Sequence, residues 1–217
     1  MIKIEHTHVS GWEAAARGMR NPMNSWDRSD SESDPITNRF YLGENDLDLM
    51  KRLAKGGSVH AKYRRMIMVS CDITAPLYWW KEFDTYKIGT VCNSCSTMHK
   101  IHARELTLDD FSTEHLDKFS LYLLDMVINN INTNREIFLE SKDKEAWHRM
   151  IQMLPTSYNQ RRTILLNYEV LVGMYRDRKN HKLDEWHTLC EWIGSLPYAD
   201  ELICGKGDRN EDNRGNI

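Results

Sequence analysis

Two cysteines and two histidines lie close together in the middle of the chain and have the side-chain types that bind zinc. Cys92 and Cys95 form a Cys-x-x-Cys pair, and His99 and His102 follow it. Closed zinc sites usually combine two ligand pairs separated by a longer loop, whereas these four residues all fall between positions 92 and 102. A redox role would instead require a helix that begins just after the pair. We therefore interpret the cysteines as ordinary thiols in a polar loop and expect no metal site, with zinc and redox roles as the alternatives.

A run of basic residues between positions 161 and 182 is the second group that could do chemistry. It carries a local charge of +4, in a chain whose net charge is −3. Cations near the end of a helix stabilise its dipole, and an arginine fork also matches the oxygens of a phosphate group. Both interpretations stay open at this point. The basic residues are Arg161, Arg162, Arg176, Arg178, Lys179 and Lys182.

Composition and the common motifs exclude several classes of protein. The chain has 217 residues, of which 41% are hydrophobic and 28% charged, which is typical of one globular domain with a core. The near-neutral charge argues against a dedicated nucleic-acid-binding protein. The signatures G-x-S-x-G, H-E-x-x-H, G-x-x-x-x-G-K-[ST] and G-x-G-x-x-G of common hydrolases, zincins, P-loop proteins and Rossmann domains are absent.

The chain shows no sequence feature that would direct it to a membrane or to secretion. No stretch approaches the roughly 20 apolar residues of a transmembrane helix, and residues 1–9 lack the apolar core of a signal peptide. The five cysteines are an odd number, which favours free thiols over a disulfide framework. We expect a cytoplasmic protein without a membrane partner.

The hydrophobic pattern predicts short strands early in the chain and long helices late, an α/β (α+β) domain. Residues 87–96 are predicted to be a loop. A domain is expected over residues 1–204, with an acidic loop at about 21–43 that is either mobile or a lid, and a disordered tail at 205–217. Asn45 is predicted to cap the second helix. The predicted strands are 2–9 and 64–74, and the predicted helices are 11–20, 45–55, a short one after Pro76, 114–140, 144–153, 157–176 and 183–193.

Two stretches of the chain together resemble the core of the flavin-dependent thymidylate synthases (ThyX). The first is ITAPLYWWKEF at 73–83, followed by a polar loop with Asn93 and Ser96. It is similar to a family strand that ends in Ala-Pro, a helix, an Arg-His-Arg triplet and an Asn-Glu-x-Ser-x-Arg-Tyr loop. The second begins at Leu154 and Pro155 and contains Asn167, Arg178 and the run DEW at 184–186. It is similar to the family's Leu-Pro step, helical Asn, Leu-Arg and Ala-Gln-x-Glu run. The resemblance covers roughly residues 45 to 195.

The chain departs from the family pattern at several charged positions. Thr85, Tyr86 and Lys87 stand where the family has Arg-His-Arg, so Lys87 matches as a cation only. Ser94 replaces the family's Glu, and Glu82 replaces its Gln.

The family also has an arginine four residues before its Leu-Pro proline, where this chain has Ile151. Each lost charge-assisted hydrogen bond removes about 1.5–3 kcal/mol of binding free energy. Either other cations replace the lost arginines, with Arg161, Lys100 and Arg104 as candidates, or the ligand differs.

The resemblance implies a homotetramer that binds FAD and a dUMP-like pyrimidine deoxynucleotide. In the family, flavin reduced by NADPH transfers the methylene group of methylenetetrahydrofolate to C5 of dUMP and yields dTMP. By this resemblance Arg178 is the catalytic residue, placed on the pyrimidine base. The implied cofactor-binding residues are Tyr86, Lys87, Asn93 and Asn167, and the implied substrate-binding residues are Glu82, Ser94, Ser96 and Arg178.

Three hypotheses of function follow from the resemblance and the departures. The chain is a divergent flavin-dependent thymidylate synthase, a related flavin- or folate-dependent enzyme acting on another pyrimidine nucleotide, or a relative that binds a nucleotide or a partner without turnover. Tyr86 could stack on the flavin ring or donate a hydrogen bond, although it is not a cation near neutral pH.

Overall fold

A four-stranded β-sheet and a separate β-ribbon form the strand content of the computed structural model, which describes residues 2–37 and 39–205. In the sheet the strands are hydrogen-bonded in the order β1-β4-β6-β5. In the ribbon, β2 and β3 are antiparallel, with Glu32 opposite Tyr41 and Ser33 opposite Phe40. The strands are β1 (Lys3–Ser10), β2 (Glu32–Ser33), β3 (Phe40–Tyr41), β4 (Met68–Pro76), β5 (Val91–Ser94) and β6 (Asn159–Asn167).

Helices account for most of the remaining regular structure, so the α/β class predicted from the sequence is confirmed. In the described part of the chain, no helix has both the length and the apolar run needed to cross a membrane. The helices are α1 (Trp12–Arg20), α2 (Glu44–Lys55), α3 (Leu77–Phe83), α4 (Thr97–Lys100), α5 (Lys118–Ser141), α6 (Lys144–Gln152), α7 (Tyr168–Arg178), α8 (Asp184–Gly194) and α9 (Ala199–Leu202).

Strand β4 forms within the alternating segment predicted at 64–74, but it runs from Met68 to Pro76, because Lys62–Arg65 form a 3-10 helical turn. Val69, Cys71, Ile73 and Ala75 are buried, whereas the residues between them are partly exposed. This period of two matches a pleated strand with one face toward the core. The strand ends at Pro76, which has no backbone N–H to donate and directly precedes α3.

Two compact units can be distinguished within this domain. The first unit comprises the described part of Met1–Glu5 together with Asp72–Thr85 and Cys92–Thr163. The second unit comprises His6–Cys71, Tyr86–Val91 and the described part of Ile164–Ile217.

The first unit has an apolar core between α5 and α6 and an aromatic cluster on α3. Leu124, Ile128 and Ile131 of α5 belong to the same buried cluster as Met150 of α6. The apolar periodicity of residues 114–140 thus correctly predicts a long helix. Of the apolar positions that define this period, however, Phe119 and Leu123 are exposed and Ile131 is buried. On α3 the ring centroids of Trp79 and Trp80 lie 4.9 Å apart in an edge-to-face arrangement.

The core of the second unit is built around large aromatic side chains. Tyr168 and Trp186 are fully buried. The hydroxyl of Tyr168 donates a hydrogen bond to the carbonyl of Pro197 at 2.7 Å, so its polar end is satisfied inside the core. Its ring meets that of Trp12 edge-on at 5.4 Å.

The predicted helix at 157–176 is wrong in its first half, because residues 159–167 form strand β6. Gln160, Ile164 and Leu166 are buried, while the residues between 160 and 166 on the other face are exposed or half-buried. This alternation is a strand pattern, but the short apolar run ILL at 164–166 is equally compatible with a helix when periodicity is judged alone. The helix begins only at Tyr168.

A missed strand and the starts of two helices are further differences from the sequence prediction. The predicted loop at 87–96 contains strand β5. Helix α5 begins at Lys118 rather than at 114, because the Asp117 side chain caps it by accepting a hydrogen bond from the Ser120 backbone at 2.7 Å. Helix α2 begins at Glu44, so Asn45 lies inside the helix and does not cap it.

The acidic loop is anchored to the first turn of α2 by one buried carboxylate. Asp46 is fully buried and accepts hydrogen bonds from the hydroxyls of Ser29 and Ser31, each at 2.6 Å, and from Arg20 Nε at 2.5 Å. Asp30 accepts a hydrogen bond from the Asn45 backbone at 2.8 Å and so supplies the cap. The lid role of this loop stays a hypothesis. Of the predicted tail at 205–217, residues 206–217 lie outside the described part of the chain.

Asp46→Asn is predicted to lower the free energy of unfolding by about 3–5 kcal/mol near neutral pH, because it breaks a buried ion pair. Burial raises the pKa of Asp46, but the hydrogen bonds from Ser29, Ser31 and Arg20 outweigh it and hold the pKa below the ordinary 3.8. A carboxylate with a lowered pKa stabilises the fold above its unfolded-state pKa, and that stabilisation is lost as the pH falls through the folded-state pKa.

Urea unfolding at stepwise lower pH measures this difference, and the gap between wild type and variant should close in acid. Asp48→Asn on the same helix is the control, since the Asp48–Arg52 pair at 3.0 Å is exposed and contributes under about 1 kcal/mol. A gap that stays constant on acidification would contradict the assignment.

Candidate functional site

The residues assigned to ligands from the sequence fall into two groups, one in each unit. Each group can be described by its own contacts. The first unit contains Glu82, Asn93, Ser94 and Ser96, and the second unit contains Tyr86, Lys87, Asn167 and Arg178.

Arg178, in the last turn of α7, is held by two aromatic side chains. Its Nε donates a hydrogen bond to the Tyr86 hydroxyl at 3.0 Å, and its guanidinium carbon lies 4.5 Å from the ring centroid of Trp186. The Tyr86 and Trp186 rings are 6.1 Å apart at an angle of 63°. A guanidinium over an aromatic face is attracted by the ring quadrupole. Trp186 is fully buried, so this arrangement orients the half-buried Arg178 side chain.

Asn167 joins β6 to α7 and lies under a glycine of the segment 86–91. Its Oδ1 accepts a hydrogen bond from the Val170 backbone at 3.1 Å and caps α7. Gly89 has a φ of +77°, and a Cβ placed on it would lie 3.0 Å from Asn167 Nδ2 and 3.1 Å from Val170 Cγ2. Only glycine adopts this backbone conformation without strain and leaves room for the Asn167 amide.

Two polar groups of this region have no hydrogen-bond partner among the described residues. Thr90 Oγ1 is buried and unsatisfied. Asn167 is 8% exposed, and its side chain forms a hydrogen bond only through Oδ1, which leaves Nδ2 without a partner among the described residues. Buried donors of this kind are normally paired with protein, water or ligand. Their chemistry suits the carbonyl and ring-nitrogen edge of a planar heterocycle. Lys87 is exposed and makes no such contact.

In the first unit, Arg162 on β6 is fixed by four neighbours. Its guanidinium carbon lies 4.2 Å from the ring centroid of Trp80. Its Nε donates to Gln160 Oε1 at 2.9 Å and its Nη1 to Asp84 Oδ1 at 2.8 Å. Nη1 also lies 3.8 Å from the Cys92 sulfur. The side chain is 14% exposed, and among the described residues its Nη2 has no partner.

The same strand fixes the start of the candidate loop at 92–96. Gln160 Nε2 donates to the Cys95 carbonyl at 2.7 Å, and the Cys95 backbone N–H donates to the Arg161 carbonyl at 3.0 Å. Trp80 Nε1 donates to the Gln160 carbonyl at 3.0 Å. The loop backbone next to Arg162 is therefore tied to buried groups.

The predicted substrate residues of the first unit occupy different positions around this loop. Asn93 and Ser94 are exposed on β5. Ser96 caps α4 by accepting a hydrogen bond from the His99 backbone at 3.1 Å. Glu82 is half-buried near the end of α3, with its carbonyl accepting from the Thr85 hydroxyl at 2.7 Å.

Of the three cations considered as replacements for the family arginines, two are paired with carboxylates and the third is exposed. Arg161 Nη2 lies 2.6 Å from Asp72 Oδ2, and Arg104 is paired with Asp110. Lys100 is exposed on α4. Arg162 is the guanidinium that touches the loop, and sequence reasoning counted it only as part of the basic run.

The basic run at 161–182 is divided between elements, with Arg161 and Arg162 on β6 and the other members at or after the end of α7. Arg176 and Arg178 lie in the last turn of α7, as the helix-dipole interpretation requires. Trp80, Trp186 and Gly89 complete the contacts described above but were not singled out from the sequence. The contact of an aromatic ring with an arginine leaves no local sequence signal when the two residues lie far apart in the chain.

Cys92 and Cys95 are free thiols on or next to the exposed strand β5, and the loop prediction misses that strand. Over residues 2–37 and 39–205, no three His, Cys, Asp or Glu side chains are grouped so that they could hold a metal ion.

Comparisons with known proteins link this fold to solved enzyme structures. The sequence matches no protein-family model and no curated protein. A flavin-dependent thymidylate synthase ThyX from Helicobacter pylori, complexed with FAD and dUMP, is similar with a TM-score of 0.67 and 16% identity over 93% of this chain and 97% of that chain. A second structure of ThyX from Helicobacter pylori with FAD and dUMP gives a TM-score of 0.65 at 16% identity, over 94% of this chain and 97% of that one.

A UMP/dUMP methylase, PolB from Streptomyces cacaoi, bound with 5-Br dUMP, is also similar. Its TM-score is 0.62 at 14% identity, over 94% of both chains. The chain therefore has the ThyX-like α/β fold that the resemblance implies.

Gly89→Ala is predicted to destabilise the protein more than Gly57→Ala. Both glycines have positive φ, which costs an alanine about 1–2 kcal/mol. Only the Gly89 variant adds a close contact, because a Cβ at Gly57 would meet nothing within 4 Å. Thermal and urea unfolding of the two variants measure the difference, and equal losses would show that Gly89 does not press on Asn167.

Proposed function

We propose that this protein is a flavin-dependent thymidylate synthase-like enzyme that methylates dUMP at C5. The overall reaction converts dUMP, methylenetetrahydrofolate, NADPH and a proton into dTMP, tetrahydrofolate and NADP+. The observation that carries the proposal is the Arg178 cluster. The position that the family resemblance assigns to the pyrimidine base holds a guanidinium oriented by Tyr86 and Trp186, on a fold similar to enzymes solved with FAD and dUMP.

The polar groups of the second unit fit a flavin or pyrimidine edge. Thr90 Oγ1 is buried without a partner, and Asn167 Nδ2 is uncommitted among the described residues. Both can donate a hydrogen bond to a carbonyl oxygen, and the Thr90 hydroxyl can also accept one from a ring N–H. Tyr86 and Lys87 precede Thr90 in the same short segment. Tyr86 has an aromatic ring that can stack on the flavin, and Lys87 has a positive charge. We assign Asn167, Tyr86, Lys87 and Asn93 to the cofactor on these grounds and on the resemblance.

Bound flavin would supply the redox chemistry and carry the one-carbon unit, while the protein positions and polarises the nucleotide. Arg178 donates hydrogen bonds to the pyrimidine base, and this polarises the ring toward substitution at C5. Because Tyr86 accepts from Arg178 Nε, its own hydroxyl proton stays available as a donor. No protein nucleophile is required in this scheme.

In the first unit we assign the phosphate to the loop at 92–96 and to Arg162. The loop contributes backbone N–H groups and the side chains of Ser94 and Ser96, and Glu82 is assigned to the substrate by the resemblance. Arg162 Nη2 is uncommitted among the described residues, and the three-sided support from Trp80, Gln160 and Asp84 reduces the entropy cost of binding an anion. This guanidinium supplies the charge lost with the family triplet.

A second candidate function is methylation of another pyrimidine nucleotide by a flavin or folate route. The specific observation is chemical: Tyr86 stands in place of the family histidine, and Ser94 in place of its glutamate. PolB has the same fold and is a UMP/dUMP methylase. The third hypothesis, binding without turnover, is the outcome if no flavin is bound.

We also propose that the protein is a homotetramer, as the resemblance implies. Helix α5 carries an exposed apolar stripe of Phe119, Tyr122, Leu123 and Met126, which are 46–68% exposed. Their spacing of three and four residues puts them on one face of the helix. Contiguous exposed apolar side chains of this kind indicate a protein–protein contact, and a second copy of this chain is the proposed occupant.

Purified protein is predicted to show a flavin absorption band and to release tritium from 5-tritiated dUMP when methylenetetrahydrofolate and NADPH are supplied. Arg178→Ala should weaken dUMP binding at least tenfold, since a charge-assisted bond contributes about 1.5–3 kcal/mol. Arg176→Ala is the matched control, because that side chain is in the same helical turn but pairs with Asp177 at 2.9 Å.

Calorimetric titration with dUMP and the tritium assay separate the hypotheses. Turnover of UMP but not of dUMP would favour the second candidate function. Purified protein that contains no flavin would favour the third hypothesis, nucleotide binding without turnover. Equal dUMP affinity in wild type and the Arg178 variant would remove Arg178 from the base-binding role.

Met126→Glu is predicted to convert the oligomer into a smaller species, because it places a charge in an apolar contact that contributes about 1.5–3 kcal/mol per buried side chain. Light scattering coupled to gel filtration measures the mass. Glu136→Lys changes the charge of an exposed polar position on the same helix and should leave the mass unaltered. An unchanged mass in the Met126 variant would show that this stripe is not the contact.

A further inference from the structure

A basic cavity lies in the second unit, beside the C-terminal half of α2 and the end of α9. Its volume is about 380 Å³, within the range of small-ligand pockets. None of the residues that line it is among those assigned above to flavin or nucleotide. Its charged lining consists of Lys51, Arg52, Lys55 and Arg64 on the basic side and Asp48 and Glu201 on the acidic side.

Arg64 is the buried member of this lining. Its side chain is 9% exposed, and its Nε has no hydrogen-bond partner. The nearest carboxylate oxygen, Glu169 Oε2, is 3.8 Å from Nη1, which is an ion pair but too long for a hydrogen bond. A buried guanidinium normally has its donors satisfied, since an uncompensated one is costly. Arg64 is thus under-satisfied by the described protein groups.

The other charges of the cavity leave a positive excess. Arg52 is compensated by Asp48 at 3.0 Å in the same helix. Lys51 is half-buried, and no ion pair or hydrogen bond joins its side chain to any described residue. Four cations face two carboxylates, so the cavity favours an anion over a cation.

We infer that this cavity binds a phosphate group, either inorganic phosphate or the terminal group of a small phosphomonoester, with Arg64 and Lys51 as its principal ligands. A guanidinium presents a planar fork that matches two phosphate oxygens, and an ammonium adds a point charge. Arg64 is preorganised by burial beside Tyr63, whose hydroxyl donates to the Met50 carbonyl at 2.8 Å. Burial raises the pKa of Tyr63 to about 12, so the phenol beside Arg64 in the sequence stays protonated and adds no negative charge near the guanidinium.

Isothermal titration of the full chain with inorganic phosphate, against sodium chloride of matched ionic strength, tests the inference. Wild type should bind phosphate at a saturable site that depends on Arg64 and Lys51 and not on Arg162. Arg64→Lys, which keeps the charge but loses the fork, should weaken binding at least tenfold, and Lys51→Gln should weaken it several-fold. Lys182→Gln, at an exposed lysine of the same unit, should bind like wild type.

A matched thermal unfolding curve for each variant shows whether it is folded. The Lys51 variant keeps the test valid if the Arg64 variant fails to fold, because Lys51 is only half-buried and makes no hydrogen bond or ion pair with the described residues. A saturable site that is lost in Arg162→Met but retained in Lys51→Gln would assign phosphate to the proposed nucleotide loop and overturn the inference. No saturable binding, or equal binding in wild type and both cavity variants, would overturn it too. Because the readout needs neither flavin nor turnover, its failure is distinguishable from failure of the proposed enzyme activity.

Discussion

Asn167 ends strand β6 and caps helix α7, and the positions of the candidate ligand-binding residues in the second unit depend on both contacts. The residue is the last of β6, and its side chain caps α7, so the helix starts at a fixed point and its final turn carries Arg178. Gly89 passes over the same amide in a conformation that other residues adopt only with strain. The segment that contains Gly89 also carries Tyr86, the partner of Arg178. The orientation of one guanidinium is therefore set by a backbone constraint at a distant point in the sequence.

The first unit orients its guanidinium by the same means. Arg162, like Arg178, is stacked on a tryptophan and hydrogen-bonded through Nε. Each arrangement fixes the orientation of a guanidinium inside the protein by an aromatic ring and a hydrogen bond from Nε. The chain has Thr85, Tyr86 and Lys87 where the resembled family has Arg-His-Arg, and it holds two arginines in fixed positions elsewhere. Neither is interchangeable with lysine, because an ammonium on a flexible stem cannot stack and bond at once.

The sequence was informative where the signal is local. Helix α5 follows from its apolar period, β4 from its alternation, and the ThyX-like fold from two motifs in the right order. Strand β6 was missed because the run at 164–166 fits both a helix and a strand until its neighbours are known. Asn167 and Arg178 are singled out by the family motif, and their ligand roles stay predictions. The pairing of Arg162 with Trp80, by contrast, joins residues 82 positions apart. Such contacts form only when the chain folds, and they produce no hydrophobic periodicity or motif in the sequence.

Asp46 carries a consequence for how the acidic loop opens. Arg20, Ser29 and Ser31 all bond to one carboxylate, and Asp30 caps the same helical turn. A loop that is held by separate weak contacts can open gradually, one contact at a time. A loop whose hydrogen bonds all go to one carboxylate loses them together when that carboxylate is released. Residues 28–31 therefore exchange amide hydrogens and admit a protease as one cooperative segment, with α2's first turn released at the same moment. The acidity of SDSESD, which suggests solvent exposure, thus coexists with a cooperative attachment to the core.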